Sequence, residues 1–172
     1  MSLALFDLSG KRALVTGSSA GIGFGLARAL AEAGCQVIMN GRNPDKLRDA
    51  AATLRGEGLK IVEAAFDVTD HGAVTAAVAQ LESAGPIDIL VNNAGTGQFT
   101  PFAMMEDEEY DRVMDVNVRS IFHFSRAVLP SMMDRDYGKI VNITSIMSTI
   151  AAQGQSVYNT SKGAAKMMTQ GM

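Results

Sequence analysis

The chain has 172 residues, 47% of them hydrophobic and 19% charged, with one cysteine, no tryptophan and a formal net charge of −3. That length fills one well-buried domain and is short for two, and the acidic balance argues against nucleic acid, which needs clustered Lys and Arg. No apolar run reaches the ~20 residues of a bilayer span, and no basic segment leads into an apolar core at the N-terminus, so neither a membrane partner nor secretion is expected.

Short runs rich in β-branched residues alternate with longer helical patterns. Residues 12–16 read as a first strand, followed by a glycine-rich segment and an Ala/Leu-rich helix to about Ala33. Gly34 ends that helix, as glycine does just past a C-cap. Residues 35–40 form a second strand, which Cys35 enters as a small apolar residue with no basic neighbour in sequence to make it a thiolate. The lone cysteine excludes an internal disulfide and fits a cytoplasmic location. A second helix covers residues 45–55, and a third strand residues 60–66. Thr69 or Asp70 then caps a helix running to about Ser83. Residues 87–91 make the fourth strand and 139–144 the fifth. Between them, Val113, Val116, Phe124 and Val128 at helical spacing predict one long helix over residues 106–135. A last helix begins near Ser156 and still runs at Met172.

The fourth strand is almost continuously apolar, as a strand covered on both faces is. Regular alternation predicts an α/β fold: a Rossmann-like, doubly wound parallel sheet with helices on both faces and right-handed crossovers. No repeat, low-complexity tract or linker divides the chain.

Thr16-Gly17-Ser18-Ser19-Ala20-Gly21-Ile22-Gly23 joins the first strand to the first helix. Glycine is needed where backbone turns tightly or approaches a phosphate, and the helix N-terminus beyond offers free N–H groups and a positive dipole end. The spacing is G-x-x-x-G-x-G rather than the G-x-G-x-x-G fingerprint, so placement after a strand and before a helix carries the dinucleotide reading against that of a plain tight turn. In NAD enzymes a carboxylate about 20 residues further on receives the ribose hydroxyls. Here the second strand ends Met39-Asn40-Gly41-Arg42-Asn43, with no acid in the window. Arg42 can fork onto a 2′-phosphate instead, which favours NADP(H) and leaves NAD(H) possible; the bland alternative is a solvated arginine.

Tyr158-Asn159-Thr160-Ser161-Lys162 places a phenol and an ammonium four residues apart, hence on one helical face. Free tyrosine, with a pKa of ~10, is a poor base near neutrality, and a neighbouring cation stabilises a phenolate. Alone, this spacing arises by chance in about one such chain in ten. It is accompanied by Ser145 thirteen residues earlier, Asn117 in the long helical segment, Asn92-Asn93-Ala94-Gly95 after the fourth strand and Asp67-Val68 after the third. Each has a structural reading: strand-end caps for Asn92 and Asn93, a helix cap for Asp67, a turn serine for Ser145, a satisfied amide for Asn117.

Together with the glycine turn, these ordered motifs resemble the short-chain dehydrogenase/reductase family over nearly the whole chain. The resemblance implies a catalytic set of Asn117, Ser145, Tyr158 and Lys162. Tyr158 would exchange a proton with the substrate oxygen, Lys162 would tune it and bind the nicotinamide ribose, Ser145 would hold the carbonyl or alcohol, and Asn117 would anchor a relay water. The cofactor set would be Gly17, Ser19, Gly21, Ile22, Gly23, Arg42, Asp67, Val68, Asn93, Ala94 and Gly95, with Tyr158 and Lys162. No metal is implied, and His71 and His123 lie outside the motifs. The fold implied is a single NAD(P)-binding Rossmann-like domain over residues 1–172, incomplete at its C-terminus because the family's later strands are absent. Met132, Met133, Met167 and Met168 read first as core filler; the family's pairing of these helices implies a homodimer or homotetramer.

Residues 5–10, 40–43 and 66–70 resemble the gluconate 5-dehydrogenase branch. That implies a small-molecule alcohol/ketone substrate, gluconate and 5-ketogluconate. The runner-up is a 3-oxoacyl-carrier-protein reductase. A reading of another class is a truncated, non-catalytic NADP(H)-binding module. Residues 96–99 and 147–153 are expected to face the substrate.

Overall fold

The computed structural model describes residues 4–172. Strands β1 (Arg12–Val15), β2 (Gln36–Gly41), β3 (Ile61–Ala65), β4 (Ile89–Asn92) and β5 (Lys139–Asn142) form one sheet in the order β3-β2-β1-β4-β5. All four pairings are parallel. This is the Rossmann-like arrangement expected from the alternation. Strand order reverses between β1 and β4, so a crevice opens where their carboxyl ends diverge.

Helices α1 (Gly21–Glu32), α2 (Pro44–Gly56), α3 (His71–Ser83), α4 (Asp107–Met114), α5 (Ser120–Asp134) and α6 (Ser156–Gly171) follow the strands. Because side chains alternate along a strand, each strand serves two cores. Ala13 and Val15 pack with Ala27 and Ala31 of α1 and with Leu47 and Leu54 of α2. Leu14, Ile38 and Leu90 face the other way, onto Val74 and Val78 of α3 and Phe124 and Val128 of α5. Burying one such leucine fully contributes about 1.5–3 kcal/mol, and both faces bury large strand residues, Met39, Ile61 and Ile89 on the α1/α2 side and Leu14, Ile38 and Leu90 on the other. Local signals agree with this packing. The Asn43 side chain accepts from the Lys46 N–H at 2.9 Å with Pro44 at the first turn of α2, and Asp70, rather than Thr69, caps α3 by accepting from Ala73 N–H at 2.9 Å.

Three expectations are corrected. Thr16 lies beyond β1, its hydroxyl used in the turn described below. The fourth strand begins at Ile89, two residues late, because Asp88 turns inward. Its carboxylate accepts from the Arg12 N–H at 3.0 Å and from Arg135 at 2.9 Å, and it is 5% exposed. The long helix is not continuous: a π-helical turn, Asp115–Arg119, separates α4 from α5. Cys35 keeps its bland reading. It is buried, its thiol lies 3.1 Å from the Lys11 carbonyl, and burial followed by the nearby Asp88 charge pushes its pKa up to about 11.

Candidate active site

The turn between β1 and α1 opens into the crevice. Gly21 adopts φ +59°, and a Cβ there would meet no protein atom within 4 Å, so the turn requires glycine for backbone conformation and leaves its outer side open. At Gly23 a Cβ would stand 2.4 Å from Asn93 Nδ2 and from the Gly17 carbonyl, so this glycine is needed for close approach. The residue preceding α1, Ala20, supplies no side-chain cap. The first N–H groups of α1 therefore face the crevice with the dipole's positive end, an arrangement suited to a pyrophosphate.

A groove of about 520 Å³ runs from this turn and is lined by Gly17, Ser19, Ile22, Arg42, Asp67 and Val68, together with Asn93, Ala94 and Gly95. Of the cofactor residues expected from the turn, the strand ends and the post-β4 motif, all but Gly21 thus line one groove. Two of them also carry structural duties. Asp67 accepts from the N–H and hydroxyl of Thr69, at 2.9 and 2.8 Å. Asn93 Nδ2 donates to the carbonyls of Thr16 and Gly17, at 3.0 and 3.1 Å.

A second cavity, of about 460 Å³, shares Ile22, Asn93, Gly95 and Thr96 with the groove and adds Ser145, Tyr158 and Lys162. Tyr158 and Lys162 lie one turn apart on α6, with the Lys162 ammonium 5.9 Å from the phenol ring centre. Lys162 is 5% exposed and donates to the Ile143 carbonyl at 2.8 Å; burial lowers its pKa from the usual lysine range. Ser145 Oγ accepts from the Met147 N–H at 3.1 Å, which leaves the hydroxyl hydrogen to donate into the cavity. A hydroxyl donor, a phenol and a buried ammonium in one cleft can polarise a carbonyl and carry a proton to its oxygen.

Asn117 sits inside the π turn with 0% exposure. Its Oδ1 accepts from the Thr96 N–H at 2.8 Å, and its Nδ2 donates to the Thr96 carbonyl and to Ser161 Oγ, each at 2.9 Å. The side-chain amide is therefore occupied by protein groups and clamps the loop that walls both cavities.

Four further residues shape the site without having been singled out as site residues. The Thr16 hydroxyl accepts from the N–H groups of Asn93 and Ala94, both at 3.0 Å, locking the β4 end to the glycine turn. Asn40, fully buried, donates to the carbonyls of Ala64 and Phe66 at 3.0 and 3.1 Å; a polar residue ending an apolar strand was the available signal. Arg112 of α4 donates to the Thr96 hydroxyl and the Gly97 carbonyl, and nothing in its sequence context marks it. Gln98, expected only as part of a substrate-facing loop, is buried. His71 and His123 stack on each other, centroids 3.7 Å apart, outside both cavities. Among the described residues no cluster of metal-binding side chains occurs, and no helix is long and apolar enough to cross a membrane.

This fold and this cleft define a dinucleotide-binding α/β protein, and the chain belongs to the short chain dehydrogenase family, whose model matches residues 11–172. It is 47% identical over 169 residues to gluconate 5-dehydrogenase of Gluconobacter oxydans, covering 98% of this chain and 66% of that protein. It is 42% identical over 169 residues to 5-keto-D-gluconate 5-reductase of Escherichia coli, with the same coverages of 98% and 66%. The crystal structure of a gluconate 5-dehydrogenase from Burkholderia cenocepacia, in complex with NADP and tartrate, superposes with a TM-score of 0.93 at 43% identity, covering 97% of this chain and 66% of that one. The chain thus spans 66% of the length of these relatives.

Proposed function

We propose that the chain acts as an NADP(H)-dependent oxidoreductase interconverting a secondary alcohol and a ketone, with gluconate and 5-ketogluconate as the substrate pair. The observation that carries this reading is the convergence of Ser145, Tyr158 and Lys162 in a cavity continuous with the glycine-turn groove. The relatives' activities support the sugar acid.

The groove fits a dinucleotide: the glycine turn leaves open space beside Gly21, and the uncapped start of α1 presents N–H groups next to it. Hydride chemistry is what a nicotinamide supplies when bound. The chain's own residues do the rest. Ser145 donates its hydroxyl hydrogen to the substrate oxygen. Tyr158 delivers a proton to that oxygen in reduction and takes it back in oxidation. The Lys162 ammonium stabilises the phenolate between those events. Asn93, Ala94 and Gly95 form the wall along the cofactor, Asp67 and Val68 flank the adenine, and Asn117 holds the wall in place through Thr96. Met133 and Met167, 73% and 64% exposed on α5 and α6, suit pairing with a second copy of the chain.

Arg42 stands exposed at the far end of the groove, where it can receive a 2′-phosphate. Charge-assisted hydrogen bonds are worth about 1.5–3 kcal/mol. Arg42→Ala is therefore expected to raise KM for NADPH by about 10- to 100-fold and leave that for NADH within about threefold. Equal losses with both cofactors would show that Arg42 does not read the phosphate.

The substrate assignment is tested by initial rates with NADPH on 5-ketogluconate and on acetoacetyl thioesters. Activity on the thioester and none on the sugar acid would replace this reading with a 3-oxoacyl-carrier-protein reductase. The apolar Phe99 and Met147 in the cavity lining, with Phe99 77% exposed, favour that second reading. NADP(H) binding without any turnover would instead indicate a non-catalytic binding module.

A further inference from the structure

Residue 40 sits where the ladders on both sides of β2 run out toward the crevice. The last pair with β1 is Val15 and Met39, and the last pair with β3 is Gly41 and Ala65. Asn40 follows three apolar residues there and is itself 0% exposed. Its side chain and main chain take over where the ladders stop. Asn40 Nδ2 donates to the carbonyls of Ala64 and Phe66, at 3.0 and 3.1 Å, and Oδ1 accepts from the Gly17 N–H at 3.5 Å. Turned over, the amide would set its oxygen against two carbonyls, so these partners fix its orientation. The Asn40 N–H donates to Ser18 Oγ at 3.0 Å, and the Asn40 carbonyl accepts from the Ser18 N–H at 2.8 Å. One buried residue thus joins the glycine turn, the end of β2 and the end of β3.

Those three segments wall one end of the groove, which Gly17, Arg42, Asp67 and Val68 line. Phe66 lies past the last ladder pair and is joined directly to Asp67, so the bond to its carbonyl extends the grip of the sheet toward Asp67 and Val68. Arg42, two residues beyond Asn40, is exposed and enters no ion pair among the described residues. Its place is therefore set by the main chain that Asn40 fixes. Walls ordered before the ligand arrives spare binding the cost of ordering them, which is the gain of preorganisation.

We propose that Asn40 is a positioning residue for the cofactor, setting the span between the 2′-phosphate reader Arg42 and the adenine wall of Asp67 and Val68. This rests on the NADP(H) reading above and adds to it a residue that acts through others.

Adenosine 2′,5′-bisphosphate tests it, because it carries the phosphorylated adenosine half of the cofactor and no nicotinamide. Asn40→Ala is expected to raise its Kd in calorimetric titration by about tenfold or more. KM for NADPH should rise in step, with kcat at saturating NADPH within about twofold of the wild type. Asn40→Ser keeps one donor and should fall between. A merely structural role would lower Tm and the fraction of active protein, and so the apparent kcat, while Kd and KM stay within about threefold. That result would overturn the proposal. Should Asn40→Ala fail to fold, Asn40→Ser carries the test on the same terms. Should both fail, crystal structures of the wild type with and without the bisphosphate decide. Residues 40–42 and 66–68 agreeing within about 1 Å would support a span formed in advance, and a larger shift would overturn it. Bisphosphate binding that depends on Asn40, without turnover of any ketone, would reject the reductase reading and leave the role of Asn40 standing. Turnover with Kd and KM unmoved by the substitution would do the reverse.

Discussion

Exchanging Tyr158 for Phe is expected to lower kcat by about 10²- to 10⁴-fold while leaving the affinity for NADPH within about threefold. The range corresponds to roughly 3–5 kcal/mol of barrier, at 1.36 kcal/mol per tenfold. The substitution removes one hydroxyl and keeps the ring. Lys162 stays anchored, because its ammonium is held by the Ile143 carbonyl and not by the phenol. The α6 helix also keeps its packing through Val157 and Ala165, 3% and 0% exposed. Proton transfer is therefore lost without disturbance to the groove. Steady-state rates beside an NADPH titration separate the two effects. A fall in kcat smaller than about tenfold would mean that the proton travels by another group. Comparable losses in rate and in NADPH affinity would mean that Tyr158 acts through the groove.

Most of the fold was legible because its causes are local. Gly34 and Asp70 act within a few residues of themselves, and the strand cores follow from alternation along each strand. The Tyr158–Lys162 pair was legible for the same reason, one helical turn being a fixed geometric relation. What remained hidden depends on distant partners. Asp88 looks like one polar residue in an apolar strand until Arg12 and Arg135 are seen on its carboxylate. Thr16 looks like the end of β1 until Asn93 and Ala94 donate to it from 77 and 78 residues away. Arg112 and Gln98 carry no sequence signal of their own, since each is defined by a loop that β4 places beside it. Arg42 sits between these cases: its position after β2 was readable, and the groove gives that position a purpose.

The π turn is the sharpest instance, and it carries the second large prediction. Val113, Val116, Phe124 and Val128 keep helical spacing through residues 115–119, so periodicity reads one continuous helix there. Isolated π turns are rare, and one is retained where tertiary bonds outweigh regular helix geometry. Here those bonds are the three made by Asn117, two of them to main-chain groups of Thr96. Removing the amide strips the partner from the part-buried N–H and C=O of Thr96 and from the buried Ser161 hydroxyl, and each such loss costs about 1–3 kcal/mol where water does not replace it. Asn117→Ala is therefore expected to destabilise the protein by about 2–6 kcal/mol, or roughly 4–24 °C in Tm at 2–4 °C per kcal/mol. Thermal unfolding by circular dichroism measures this, and NADPH should recover part of the loss by binding the folded state. Asn117→Asp is the informative companion. It keeps an acceptor for the Thr96 N–H but sets a second oxygen against the Thr96 carbonyl, so it should be no more stable than the alanine variant. If instead Asn117→Ala melts within about 2 °C of the wild type, the clamp does not hold the loop. The π turn would then have to be explained by the packing of α4 and α5 alone.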